Sequence, residues 1–251
     1  MWVTEPHEGI TGVTFDSDGH RLVGVLYLAR GEEPKPTVLV LHGCPGLEKN
    51  LDLAVRLREA GWNALVFHYR GCWGSAGRYD LRTVPRDVTA AIDHLESCPR
   101  VDAGRIAVLG HSMGGWAALV TAATEPRLRA VAVYATATRL GASMGLSRDR
   151  VEEEFTRFLA TTPQELAAQL AVVAEQMDGL AAATAIGPRP LLLVHGTADR
   201  WVPVAQVREL RERAGSSCCY VEVEGADHAF SWHRAELADL IVGWLSEGAT
   251  G

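Results

Sequence analysis

Ile106-Ala107-Val108-Leu109-Gly110-His111-Ser112-Met113-Gly114-Gly115 runs from four consecutive apolar residues into a Gly-x-Ser-x-Gly turn, and the small-residue stretch Gly114 to Thr124 follows. An apolar run of that length reads as a buried strand, and the stretch after it reads as a helix. A serine at so tight a strand-to-helix turn is held in a strained backbone conformation with its hydroxyl presented at the top of a sheet, the context of a nucleophile elbow. Gly110 and Gly114 leave room where a Cβ would strike neighbouring backbone. Taken alone, the motif also fits a plain small-residue turn.

Outward from this point the pattern alternates between strand and helix. Ile10 to Phe15 and Arg21 to Leu28, separated by Asp16-Ser17-Asp18-Gly19, read as an antiparallel hairpin at a sheet edge. Thr37 to Leu41, Asn63 to Tyr69, Ala130 to Tyr134, Pro190 to His195 and Ser217 to Val223 are short apolar or β-rich runs of strand type. Between them lie helical patterns: Leu51 to Ala60 closed by Gly61, the face Val84, Val88, Ala91, Ile92 and Leu95, and a terminal helix from about Trp232 to Leu245. Strands without in/out alternation, interleaved with helices, imply a mostly parallel sheet covered on both faces, with its ligand site at the carboxyl ends of the strands. Residues 139–187 break the alternation. They carry only helical pattern (Val151, Phe155, Phe158, Leu159, Leu166, Leu170, Val173 and Met177), so this segment is expected to be a helical lid inserted over Ser112 in a single domain spanning 1–251.

A serine hydroxyl is a weak nucleophile near neutral pH and needs a base that is itself oriented by a carboxylate. Asp199 follows the Val194-His195-Gly196 strand end, and His228 follows the last strand in Gly225-Ala226-Asp227-His228. Ser112, Asp199 and His228 therefore occur in the chain order expected when each sits at a strand end. The oxyanion donors expected beside them are the backbone N–H of Met113 and that of Cys44 in the loop His42-Gly43-Cys44-Pro45-Gly46, where Pro45 has no N–H to offer. The Cys44 thiol is expected to be inert.

Leu41 to Gly46, Tyr69-Arg70-Gly71-Cys72-Trp73-Gly74-Ser75-Ala76-Gly77, Gly110 to Gly115, His195 to Asp199 and Gly225 to His228 together make the sequence resemble the α/β-hydrolase superfamily over about residues 10–246. Within it the chain is similar to dienelactone hydrolase-like enzymes and to the catalytic domains of prolyl-oligopeptidase-like peptidases, departing from the former in having Ser112 where they have Cys. The resemblance implies an eight-stranded α/β-hydrolase fold, hydrolysis through an acyl-enzyme, and no cofactor.

Other features bound the reading. A net charge of −7 with arginines interleaved among carboxylates argues against nucleic acid as a partner. The opening residues lack a basic-then-apolar leader, no stretch approaches the ~18 apolar residues of a membrane span, and Cys44, Cys72, Cys98, Cys218 and Cys219 form no disulfide framework; a cytoplasmic location is expected. No metal-ligand spacing stands out, and Gly71, Gly74 and Gly77 do not match a dinucleotide fingerprint. Arg70 is expected to be structural, bound to Asp87 or to loop carbonyls. Trp73 and Tyr79, on a strand-end loop, and Phe155 and Phe158, in the insert, are the expected substrate-pocket residues. The function expected is cleavage of a carboxylic ester or thioester by a monomer or homodimer. The alternatives are acyl transfer or cyclisation, amide or small-peptide hydrolysis on the same three residues, and a silent binding scaffold.

Overall fold

Apolar runs long enough for one strand fill both faces of a central sheet in turn. Leu39, Leu41, Val108, Leu191 and Leu193 point into the core on one side, while Val38, Val40, Leu109, Leu192 and Val194 point into the core on the other. The computed structural model describes residues 9–140 and 153–248. In chain order these form β1 (Gly9–Ser17), β2 (His20–Leu28), β3 (Lys35–Leu41), α1 (Leu51–Glu59), β4 (Asn63–His68), α2 (Val84–Glu96), β5 (Val101–His111) and α3 (Met113–Thr124). There follow β6 (Leu128–Tyr134), α4 (Pro163–Gln176), α5 (Gly179–Ala185), β7 (Leu191–Gly196), α6 (Val204–Ala214), β8 (Cys218–Val223) and α7 (Arg234–Ser246).

The sheet has eight strands in the order β1-β2-β4-β3-β5-β6-β7-β8. β1 pairs antiparallel with β2, and β2 antiparallel with β4; every later pairing is parallel. The expected edge hairpin is therefore present, turned by Asp18 and Gly19 at positive φ. β5 is longer than its apolar run because Val101 pairs with Lys35 across a register shift. Leu53, Leu57, Leu237 and Ile241 place α1 and α7 over one face; Val88, Ile92, Trp116 and Val207 place α2, α3 and α6 over the other.

Of the described part of 139–187, residues 153–156, α4 and α5 are helical, as expected, but Phe158 and Leu159 are not: Phe158 falls in a turn, and Leu159 makes an isolated antiparallel bridge with Cys72. The part of the expectation that falls on 141–152, Val151 included, lies outside the described residues. α4 begins at a capping box, in which Thr162 and Glu165 each accept or donate across the first turn, with Pro163 just inside. It is anchored on the loop before α2: Leu81 N–H donates to Gln169 Oε1 (3.2 Å), Gln169 Nε2 donates to the Tyr79 carbonyl (3.2 Å), and Arg78 pairs with Glu165. Trp116 Nε1 of α3 donates to the Met177 carbonyl at 2.8 Å.

Arg70 is structural, as expected. Its Nε donates to Asp87 Oδ1 at 2.8 Å and its backbone N–H to Oδ2 at 2.9 Å, while Ser17 Oγ donates to Oδ1 at 2.7 Å. Asp87 is fully buried, so this pair ties the edge hairpin, the end of β4 and α2 together away from water. Removing one partner of a buried pair leaves the other charge without compensation. Asp87→Ala should lower the unfolding free energy by about 3–5 kcal/mol, measured by urea denaturation; a loss below about 1 kcal/mol would contradict this role.

His42, at the end of β3, is 1% exposed, donates Nδ1–H to the Gly43 carbonyl, and is pushed by burial from 6.5 down to about 4. Its folded value lies below the unfolded one, so its contribution to stability is complete above pH 6.5 and is lost as the pH falls toward 4. Between pH 7.5 and 5.0 this amounts to about 2 kcal/mol. Denaturation at both pH values should show a smaller fall in stability for His42→Gln than for the wild type; equal falls would refute the assignment.

Candidate active site

Ser112 links β5 to α3 with φ +54° and ψ −119°, a conformation that L side chains rarely adopt. Two close approaches allow it. A Cβ on Gly110 would collide with the Gly114 carbonyl, and one on Gly114 would collide with the carbonyls of Leu41 and His42 at the end of β3. Ser112 N–H donates to the Tyr134 carbonyl at 3.2 Å, and Ala137 N–H donates to the Ser112 carbonyl at 3.4 Å, so the turn is held by the end of β6 as well.

His228 and Asp199 reach this point from the ends of β8 and β7. Ser112 Oγ lies 3.0 Å from His228 Nε2, and His228 Nδ1 lies 2.8 Å from Asp199 Oδ2. With Nδ1–H donated to the carboxylate, Nε2 is free to accept the serine proton. Asp199 Oδ1 accepts from the N–H groups of Trp201 (2.8 Å) and Val202 (2.9 Å), which closes the loop on its own carboxylate. Burial opposes ionisation of Asp199, but the His228 hydrogen bond and these backbone donors outweigh it and hold its carboxyl below the usual value. The two loops are tied to each other by Ala198 N–H to the Ala226 carbonyl (3.0 Å) and by Gly225 N–H to Thr197 Oγ1 (2.9 Å).

Two more histidines hold backbone. His111 Nε2 donates to the His228 carbonyl at 3.1 Å, and His195 Nε2 donates to the Val202 carbonyl at 2.9 Å. Burial pushes both below the ordinary histidine value, so they are neutral supports at neutral pH.

A cavity of about 590 Å³ opens over Ser112. Its walls include Cys44, Leu47, Phe155, Arg200, Trp201 and His228. Met113 is the first residue of α3, so its N–H has no partner within the helix. The loop carrying Cys44 lies against the serine: a Cβ on Gly43 would sit 3.1 Å from Ser112 Cβ. Burial pushes the Cys44 thiol up to about 12, with the neighbouring Tyr79 hydroxyl working the other way, which favours the protonated thiol at neutral pH.

Of the four expected pocket aromatics, only Phe155 lines the cavity. Trp73 is turned away to donate Nε1–H to the Pro45 carbonyl at 2.7 Å, and Phe158 stacks on its ring at 5.7 Å and 15°, so both brace the Cys44–Pro45 loop from outside. Tyr79 is 2% exposed and lies behind Cys44, because its N–H donates to the Ala160 carbonyl and draws it under the insert. The sequence reading missed Trp201, which stacks between Phe155 (5.9 Å, 15°) and the His228 ring (5.9 Å, 26°). Its position two residues after Asp199, in a strand-end loop, was the available signal. Among the described residues no group of three or more His, Cys, Asp or Glu is arranged to hold a metal ion, and no helix is long and apolar enough to cross a membrane.

The chain is 33% identical over 125 residues to the quorum-quenching protein AidA of Acinetobacter baumannii, a match covering 47% of this chain and 41% of that one. It is 25% identical over 232 residues to the uncharacterized protein YfhR of Salmonella typhi, covering 90% and 77%. Thus the match spans about two fifths of AidA and about three quarters of YfhR. The solved structure of Est1E from Butyrivibrio proteoclasticus with ferulic acid bound superposes with a TM-score of 0.79 at 19% identity, covering 95% of this chain and all of that one, a likeness of fold. The family model described as "Alpha/beta hydrolase family" matches residues 38–240, and the chain belongs to that family.

Proposed function

We propose that the protein is a serine hydrolase that cleaves a carboxylic ester or thioester through an acyl-enzyme. The observation that carries this reading is the continuous hydrogen-bonded line from Ser112 Oγ through the His228 ring to Asp199, opening into a cavity.

In this mechanism Ser112 Oγ bonds to the substrate carbonyl carbon while its proton passes to His228 Nε2. The carbonyl oxygen takes the negative charge, facing the N–H groups of Met113 and Cys44. Collapse of the tetrahedral intermediate breaks the bond to the leaving oxygen or sulfur, which departs with the proton held by His228. Water then adds to the acyl carbon, gives one proton to His228, and the second collapse returns that proton to Ser112 Oγ as the carboxylic acid leaves. Asp199 stabilises the imidazolium that forms in each half-reaction and fixes its tautomer. A cytoplasmic location is part of the same proposal and rests on the odd, scattered cysteines.

Ser112→Ala should lower kcat on p-nitrophenyl acetate by about 10⁶ and abolish labelling by a fluorophosphonate. Labelling of the variant at the wild-type rate would sink the assignment. Asp199→Asn keeps the shape but not the charge, so kcat should drop by about 10⁴ with little change in the melting midpoint. Full activity in that variant would show that another group orients His228.

A further inference from the structure

Two cavities meet at Ser112, and they differ in kind. The open one, about 590 Å³, has polar groups such as Glu48, Arg200 and Asp227 on its walls. The second is narrow, about 40 Å³, and lies on the side of the insert. Its walls include Leu81, Ala137, Leu140, Phe155, Leu166 and Leu170. Ser112, Cys44, Phe155, Trp201 and His228 border both, so one carbonyl carbon at Ser112 Oγ has a wide, open side and a confined apolar side.

Resting on the serine-hydrolase reading, we infer that the narrow cavity receives the acyl portion of the substrate and limits it to short aliphatic chains, while the open cavity receives the alcohol or thiol portion. Access decides the orientation. The leaving group has to depart before water attacks, and that water has to arrive from the side the leaving group vacated, so this side is the one open to solvent. The acyl group stays bound through both steps and can occupy the enclosed side.

Volume sets the chain length. The narrow cavity offers about 40 Å³ against about 590 Å³ on the open side, so it admits a short chain and excludes a long one. Longer chains meet buried side chains: Leu81 is 1% exposed, Leu166 2% and Leu140 5%. The wall is also pinned in place. Gln169, one turn after Leu166 and next to Leu170 in the chain, clamps α4 to the backbone of Tyr79 and Leu81, and Trp116 holds the end of the same segment through Met177. The insert thus acts as the fixed end wall of the acyl site.

The test is a p-nitrophenyl ester series from acetate to octanoate, with the wild type, Leu170→Ala and Leu140→Ala. Fluorophosphonate labelling of Ser112 reports whether each variant keeps an intact site. Wild-type kcat/KM should be about 100-fold higher for butyrate than for octanoate, and at least one truncation that still labels should shrink that ratio about tenfold or more. Octanoate turned over by the wild type as well as butyrate would overturn this inference and leave the serine-hydrolase reading standing. So would a ratio unchanged in both labelled variants. No turnover of any ester together with no labelling of wild-type Ser112 would overturn both.

Discussion

The backbone of Ser112 is held at φ +54° by close packing of the β5–α3 turn against the end of β3, with Gly110 and Gly114 supplying the missing side chains. That approach fixes three things together. It points Oγ out of the sheet, starts α3 at Met113, whose N–H has no partner within the helix, and sets the Cys44 loop beside the serine because that loop leaves the same end of β3. A Cβ at Gly114 would push the turn off the end of β3, and the loop would move with it, while one at Gly110 would force the turn itself open against Gly114 and Gly115. The strain at one residue is therefore supported by the packing of a central pair of strands.

The other two members of the hydrogen-bonded line depend on the parallel half of the sheet. β7 and β8 are paired in register from Leu191–Cys218 to Gly196–Val223, so the loops bearing Asp199 and His228 emerge side by side. Asp199 serves twice: one carboxylate oxygen receives His228 Nδ1–H, and the other closes the turn that lays Trp201 over the His228 ring. The same carboxylate thus sets the orientation of the His228 ring and part of the cavity wall. Phe155 completes the stack from the insert, which makes the inserted helices part of the site.

The central strands were legible because their residues are buried on both faces, which leaves uninterrupted apolar runs in the sequence. Ser112, Asp199 and His228 were legible because each stands just past a strand end, where side chains face the open edge of the sheet. The pocket aromatics were not. Trp73 lies on a strand-end loop, but the direction of its ring is set by the Pro45 carbonyl, and that of Phe158 by the ring of Trp73. Tyr79 is buried because residues far along the chain, Ala160 and Gln169, bond its backbone. Trp201 carries no periodicity, and its place in the wall comes from a turn closed by a side chain. Spacing along the chain says where a loop begins; it does not say which way a ring in that loop faces.

The proposed reaction requires Ser112 to carry the acyl group. The most direct measurement is acid quenching of the wild-type protein within the first turnovers on a p-nitrophenyl ester, followed by intact-mass and peptide mass spectrometry. A mass gain of one acyl group, located on the peptide containing Ser112, is the predicted result. An adduct on Cys44, or ester turnover without any acylated protein under conditions where release of the acyl group is slow, would contradict it.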